Sequence, residues 1–293
     1  MKTDNRLVIL AGLAVALIWG LTFLSIKVAI REFGPMSLAL FRFVIASILL
    51  TFIMLITRTP FGIARKDMFL LAASGLVGVT LYFFFENNGV MRLTASESSI
   101  IVGTIPIVTL LGEMLILKHR PDRRVAGGIV LSFVGVALIV FRSESASSAP
   151  AGYLYMGGAA LSWAAYSFLT RPLSGRYSML AVTFWQMVTG ALGCIPLALA
   201  EHQNWSALSS VALANAAFLG VFGSAIGYWL YVIALERLGP GASSVFINLI
   251  PVVAVAASFI LLGERLGLMQ LAGGAMAVLG VYLATAPRRK GSR

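Results

Sequence analysis

Ten apolar runs, each close to the length of a membrane-spanning helix, constrain this chain more than any other feature. They fall at roughly 7–27, 36–57, 67–91, 95–117, 124–141, 152–171, 178–200, 210–236, 241–262 and 267–286. A bilayer core needs about 20 apolar residues per helix. Backbone N–H and C=O groups cannot stay unpaired in hydrocarbon, so each run must be helical. Composition agrees: 59% of residues are apolar and 11% charged, against roughly 25% charged in soluble domains. Lys2 and Arg6 precede the first run, which is too long for a signal-peptide core and is read as an uncleaved first helix.

The breaks between runs set an orientation. Alternate loops hold 16 of the 22 Lys and Arg residues on one side and 5 on the other, with Arg42 inside a span. The positive-inside rule then places both termini in the cytoplasm. The net charge of +11 is spread over these loops rather than gathered in one patch, so no nucleic-acid partner is expected. Cys194 is the single cysteine and sits in an apolar run, which excludes a disulfide framework. His119 and His202 lie in different loops, so no metal site and no cofactor are expected.

The chain repeats internally. At an offset of 145, Gly75 and Gly78 meet Gly220 and Gly223, Arg92-Leu93 meets Arg237-Leu238, Ser98-Ser99 meets Ser243-Ser244, Ile105-Pro106 meets Ile250-Pro251, and Gly135-Val136 meets Gly280-Val281. An offset of 144 pairs Trp19 with Trp163 and Arg42 with Gln186. The expected organisation is a first five-helix repeat over 1–142, a linker over 143–151, a second repeat over 152–287 and a basic tail over 288–293. An odd number of helices per unit inverts the second unit, and inverted repeats are a recurring design of secondary transporters with the substrate near the midplane. The expected fold is therefore an all-α membrane protein of ten transmembrane helices in two inverted repeats.

The residues in order resemble the EamA-type members of the drug/metabolite transporter superfamily. The resemblance is carried by Trp19-Gly20-Leu21-Thr22-Phe23 with Lys27, Pro35, Phe41-Arg42-Phe43, Glu86-Asn87, Arg92-Leu93-Thr94-Ala95-Ser96 and Pro106. The second half adds Ala234-Leu235, Pro251 and Leu262-Gly263-Glu264-Arg265-Leu266. One departure is Lys118-His119-Arg120, where the second repeat has Gly263-Glu264-Arg265. The resemblance implies ten helices, cytoplasmic termini and transport of metabolites, often export of amino acids or related compounds, and it fixes no particular substrate.

Candidate functional residues follow from polarity inside the spans. Pro106 and Pro251 sit mid-span, where proline removes a backbone donor and kinks a helix. Gly103 and Asn248 lie three residues earlier and loosen the same turns. A structural kink and direct substrate contact both fit. Arg42 and Glu86 are charges within spans, which seldom face lipid. A structural Arg42–Glu86 ion pair is expected, with a proton- or substrate-linked Glu86 as the alternative; Asn87 adds hydrogen-bonding capacity. Glu113 reads as an anchor or packing residue. Trp19, Tyr82, Trp163, Tyr166 and Tyr228 supply aromatic surface suited to amphipathic or cationic solutes. Gly127-Gly128 and Gly273-Gly274 read as close helix packing.

The expected activity is secondary transport of small organic metabolites across the inner (cytoplasmic) membrane by alternating access, in the direction of export. The expected partners are a small-molecule substrate and the lipid bilayer, with the chain acting as a monomer or homodimer. A membrane enzyme lacks paired carboxylates or a nucleophile–histidine set here. A channel-like bundle fits mid-span prolines and short loops less well.

Overall fold

The computed structural model describes residues 5–93, 98, 101–116, 118, 122–140, 150–253, 256 and 268–285. Residues 143–149 of the expected linker 143–151, Leu262–Leu266 and the tail 288–293 lie outside them, while Pro150 and Ala151 already belong to the following helix. The described residues contain helices and no strand. In chain order these are α1 (Asn5–Ala29), α2 (Pro35–Ile56), α3 (Arg65–Arg92), α4 (Ile105–Ile116), α5 (Arg123–Val140), α6 (Pro150–Thr170), α7 (Met179–Ala200), α8 (210–238), α9 (240–253) and α10 (Leu268–Thr285). Each falls on one of the apolar runs. Five stretches are long and apolar enough to cross a membrane: Leu7–Ala29, Pro35–Ile56, Arg65–Arg92, Met179–Ala200 and Ser210–Val253. The last is broken at Gly239, whose φ of 79° and ψ of 172° leave the helical region. Glycine accepts this left-handed φ without a Cβ clash, and Pro240 then starts α9. Ile105–Ile116 and Leu271–Thr285 are shorter apolar helices. The chain is a multi-pass membrane protein.

Two helices widen at matching points. Leu76–Leu81 in α3 and Leu219–Ile226 in α8 are π-helical. Such wide turns are uncommon and cluster at functional sites. The glycine pairs that the repeat aligned sit here: Gly75 immediately before the first stretch and Gly78 within it, and Gly220 and Gly223 within the second. A Cβ on Gly75 would meet the Gln186 carbonyl at 2.7 Å, and one on Gly220 would meet the Arg42 carbonyl at 3.0 Å. So α3 lies against α7 as α8 lies against α2.

The expected glycine packing takes a particular form. A Cβ on Gly128 would stand 2.6 Å from the Gly280 carbonyl, and one on Gly135 would stand 2.5 Å from the Gly273 carbonyl. The contacts join α5 to α10 so closely that only glycine fits. Gly127 is different, with open space where its Cβ would be.

The prolines interrupt their helices as expected. Before Pro106 the chain turns at Gly103-Thr104, and before Pro251 the segment Val245–Leu249 tightens into a 3-10 helix.

The bundle is fastened at both ends by loops from opposite halves. At one end, Glu201 accepts from the N–H groups of Met36 and Ser37 at 2.8 Å each, and Glu32 accepts from the N–H of Ser209 at 2.7 Å. These carboxylates cap α2 and α8, where free N–H groups and the helix dipole favour negative charge. At the other end, Asp67 in the first turn of α3 accepts from Arg176 Nη1 at 3.0 Å and from the Tyr177 hydroxyl at 2.7 Å.

Candidate functional site

A narrow cavity lies where the two halves meet. Its wall is built by Trp19, Thr22 and Ile26 of α1, Arg42 of α2, and Tyr82, Phe83 and Glu86 of α3. Trp163 of α6 and Tyr228 of α8 close the other side, while Val102, Ile105, Ile247 and Ile250 come from the segments around α4 and α9. Its volume is about 40 Å³. Sites for drug-sized ligands run to roughly 300–1,000 Å³, so a ligand of that size fits here only after the surrounding helices move.

The aromatic wall is a continuous cluster. Trp19 and Trp163 meet edge to face with ring centroids 5.2 Å apart. Tyr228 lies 5.7 Å from Trp19 and 5.5 Å from Trp163, and Tyr82 lies 5.0 Å from Trp163. Their polar atoms are tied down. Trp19 Nε1 donates to the Gly223 carbonyl at 2.9 Å, and the Tyr228 hydroxyl donates to the Gly78 carbonyl at 2.9 Å. Both acceptors sit in the π-helical turns. The Trp163 Nε1 donates to the Tyr231 hydroxyl at 3.0 Å. Aromatic edge-to-face packing with every donor satisfied makes this wall rigid.

The expected Arg42–Glu86 ion pair does not form. Arg42 Nε donates to Ser224 Oγ at 2.9 Å, and its guanidinium lies over the Phe83 ring, 4.4 Å from the centroid. Glu86 Oε1 accepts from the Tyr82 hydroxyl at 2.9 Å. The remaining atoms Arg42 Nη1 and Glu86 Oε2 are buried without a hydrogen-bond partner. The physical reason is that each group is claimed by a nearer neighbour, the serine and aromatic face for arginine, the tyrosine for glutamate.

The sequence-predicted residues divide. Trp19, Tyr82, Glu86, Trp163 and Tyr228 line the cavity. Tyr166 stands behind it, its hydroxyl donating to Gln186 Oε1 at 3.2 Å. Asn87 is spent elsewhere: its Nδ2 donates to the Pro35 carbonyl at 2.7 Å and holds the start of α2. Asn248 donates to Ser132 Oγ at 2.6 Å, joining α9 to α5. Pro106 and Pro251 are off the wall, which takes instead the isoleucine just before each, Ile105 and Ile250. Thr22, Ile26, Phe83, Val102 and Ile247 were not singled out. Phe83 had a signal, since its neighbours Tyr82 and Glu86 were both candidates on one helix. Glu113 anchors the break before α9, its Oε1 accepting from the Gly241 N–H at 3.0 Å. Among the described residues no cluster of three His, Cys, Asp or Glu side chains is arranged to hold a metal ion.

Hydrogen bonding shifts two groups in the loops outside the spans. The N–H and hydroxyl of Ser209 hold the Glu32 carboxyl below its usual range. Donation to Asp67 pushes the Tyr177 hydroxyl above its usual range.

Known proteins agree with this picture. The chain matches the EamA-like transporter family over residues 6–141 and again over 150–286. It is 29% identical over 270 residues to an uncharacterised transporter of Archaeoglobus fulgidus, covering 92% of this chain and 95% of that one. It is 28% identical to a probable terminal-alkyne amino-acid exporter of Streptantibioticus cattleyicolor, covering 90% and 89%. It is 25% identical to a probable amino-acid metabolite efflux pump of Salmonella typhimurium, covering 93% and 92%. A solved crystal structure at 18% identity superposes with a TM-score of 0.79, covering 97% of this chain and 99% of that one, which establishes likeness of fold. With the family matched along nearly its whole length, and aromatic side chains from both halves meeting around one cavity, this chain belongs to the EamA-like transporter family.

Proposed function

We propose that the chain is a secondary exporter of amino acids or related small amphipathic solutes in the cytoplasmic membrane, working by alternating access. Ten spans form two inverted five-helix repeats with both termini in the cytoplasm, and the cavity is the substrate site. The observation that carries this reading is the cavity itself, placed at the junction of the halves and walled by Trp19 and Trp163, which the repeat aligns.

Inversion is supported by reciprocal contacts. Gly128 touches Gly280 as Gly135 touches Gly273, and the repeat pairs 128 with 273 and 135 with 280. A two-fold axis exchanges such contacts, whereas a simple translation does not. The two stretches matched by the family, 6–141 and 150–286, support the division into halves. The export direction rests on the names of the two amino-acid relatives.

Proteoliposomes loaded with labelled amino acids test the activity. The expected result is release that saturates with substrate and needs the folded protein; release no faster than from empty liposomes rejects it. Orientation is tested in a Cys194→Ala background with Ala146→Cys or Lys290→Cys and an impermeant thiol reagent on intact cells. Labelling at 146 alone is expected, and labelling at 290 alone reverses the topology.

A further inference from the structure

Two buried groups of opposite charge line one cavity, and no direct ion pair joins them. Arg42 is 2% exposed and Glu86 5%. Each is held by a neighbour and keeps a buried polar atom without a hydrogen-bond partner. Ser224 Oγ and the Phe83 face fix the guanidinium, leaving Nη1 free; the Tyr82 hydroxyl fixes the carboxyl, leaving Oε2 free. Charges inside a membrane protein are costly, face cavities and pair with an opposite charge. Here the two side chains do not touch each other, so each keeps hydrogen-bonding capacity that the other does not fill. One open donor and one open acceptor on a shared wall are satisfied together by a ligand that carries both signs.

We propose that Arg42 and Glu86 are the two poles of a zwitterion site, with the carboxylate of an α-amino acid accepting from Arg42 Nη1 and its ammonium donating to Glu86 Oε2. The amino-acid side chain then lies along Trp19, Trp163 and Tyr228, where aromatic faces offer apolar surface. This deepens the amino-acid reading above and rests on it. The site discriminates by charge pattern before size. An amine leaves Arg42 unanswered, and a carboxylic acid leaves Glu86 unanswered. An unmade bond to a buried charged group forfeits about tenfold or more in affinity.

The test uses the full chain in detergent and two trios of ligands: L-phenylalanine, 2-phenylethylamine and 3-phenylpropanoate; L-alanine, ethylamine and propanoate. Calorimetric affinities are the first readout, and flux in proteoliposomes the second. In at least one trio the amino acid is expected to bind about tenfold or more tighter than its amine and its acid. Arg42→Gln is expected to bring the amine level with the amino acid, and Glu86→Gln to bring the acid level. The site is overturned if no ligand of either trio binds, if an amine or acid binds wild type as tightly as its amino acid, or if each variant weakens all three members alike. Should a variant not fold, the wild-type ranking decides alone. Binding in the expected order without flux overturns the transporter reading and leaves the site standing. Flux without that order does the reverse.

Discussion

The two halves place side chains at matching points and give them different chemistry. In the first half, Trp19, Arg42 and Glu86 meet the cavity, two of them charged and each charge keeping an open polar atom. The offsets carry those positions to Trp163, Gln186 and Tyr231 in the second half. There the polar groups are neutral and mutually satisfied. Gln186 Nε2 donates to Ser74 Oγ at 2.9 Å and to Thr170 Oγ1 at 2.8 Å, and its Oε1 accepts from Tyr166. A closed network stiffens a core, while an open one at the same depth is costly unless a ligand completes it. The difference gives the second cluster a structural role and supports the recognition site proposed for the first.

The sharpest way to break that comparison is to remove what the clusters share. Trp163→Ala and Trp19→Ala are each expected to cost about 3–5 kcal/mol in detergent unfolding and to abolish flux in the protein that reaches the membrane. Unchanged flux and substrate range in both would dissolve the aromatic wall as a site. Next, Gln186→Leu is expected to lower stability by about 2 kcal/mol, since it strands several buried hydroxyls. Arg42→Gln should cost less stability and still cut amino-acid flux about tenfold. Thermal melts that rank the two the other way would merge the roles.

Where the halves touch, they should be equally intolerant. Gly128→Ala is expected to cost about 1–3 kcal/mol, because the new methyl meets backbone rather than a yielding side chain. Gly127→Ala on the same helix should be close to neutral, given its open space. Equal melting points for the two would remove the α5–α10 contact.

The smallest effects lie at the fastened ends and run in opposite pH directions. Glu32 has its pKa depressed on folding, so its contribution is present above the usual carboxyl range and lost as pH falls through the folded value. Tyr177 has its pKa raised, so its contribution is full below the usual phenol range and lost as pH rises through the folded value. Melting curves should therefore lose a small part of their acid slope in Glu32→Gln and part of their alkaline slope in Tyr177→Phe. Slopes unchanged in both variants would mean that neither contact is kept in solution.

The helices were legible because lipid allows few alternatives: an apolar run of this length has nowhere to pair its backbone except within itself. Much of the aromatic wall was legible too, since Trp19 and Trp163 are large, polar-tipped and aligned by the repeat. The wide turns were not. Gly75-Gly78 and Gly220-Gly223 marked close packing, but no side-chain pattern separates an α turn from a π turn when tertiary contacts decide it. Asn87 and Asn248 looked like ligand contacts because amides in a span need partners; the Pro35 carbonyl and Ser132 take the Nδ2 of each, while both Oδ1 atoms are buried without a hydrogen-bond partner. Arg42 and Glu86 were recognised as a related pair of charges, yet rotamers and third parties, here Ser224 and Tyr82, determine whether opposite charges touch.

The reciprocal glycine contacts between α5 and α10 have a consequence for ancestry. A surface that pairs with its own repeat through exchanged positions needs no information from the other half. Each half has only to keep its own two glycines, Gly128 and Gly135 in one, Gly273 and Gly280 in the other. Two separate copies of one five-helix unit, inserted in opposite directions, would already possess this seam. Fusion of such copies leaves the seam under double constraint, while positions away from it, such as Arg42 and Gln186, are free to diverge.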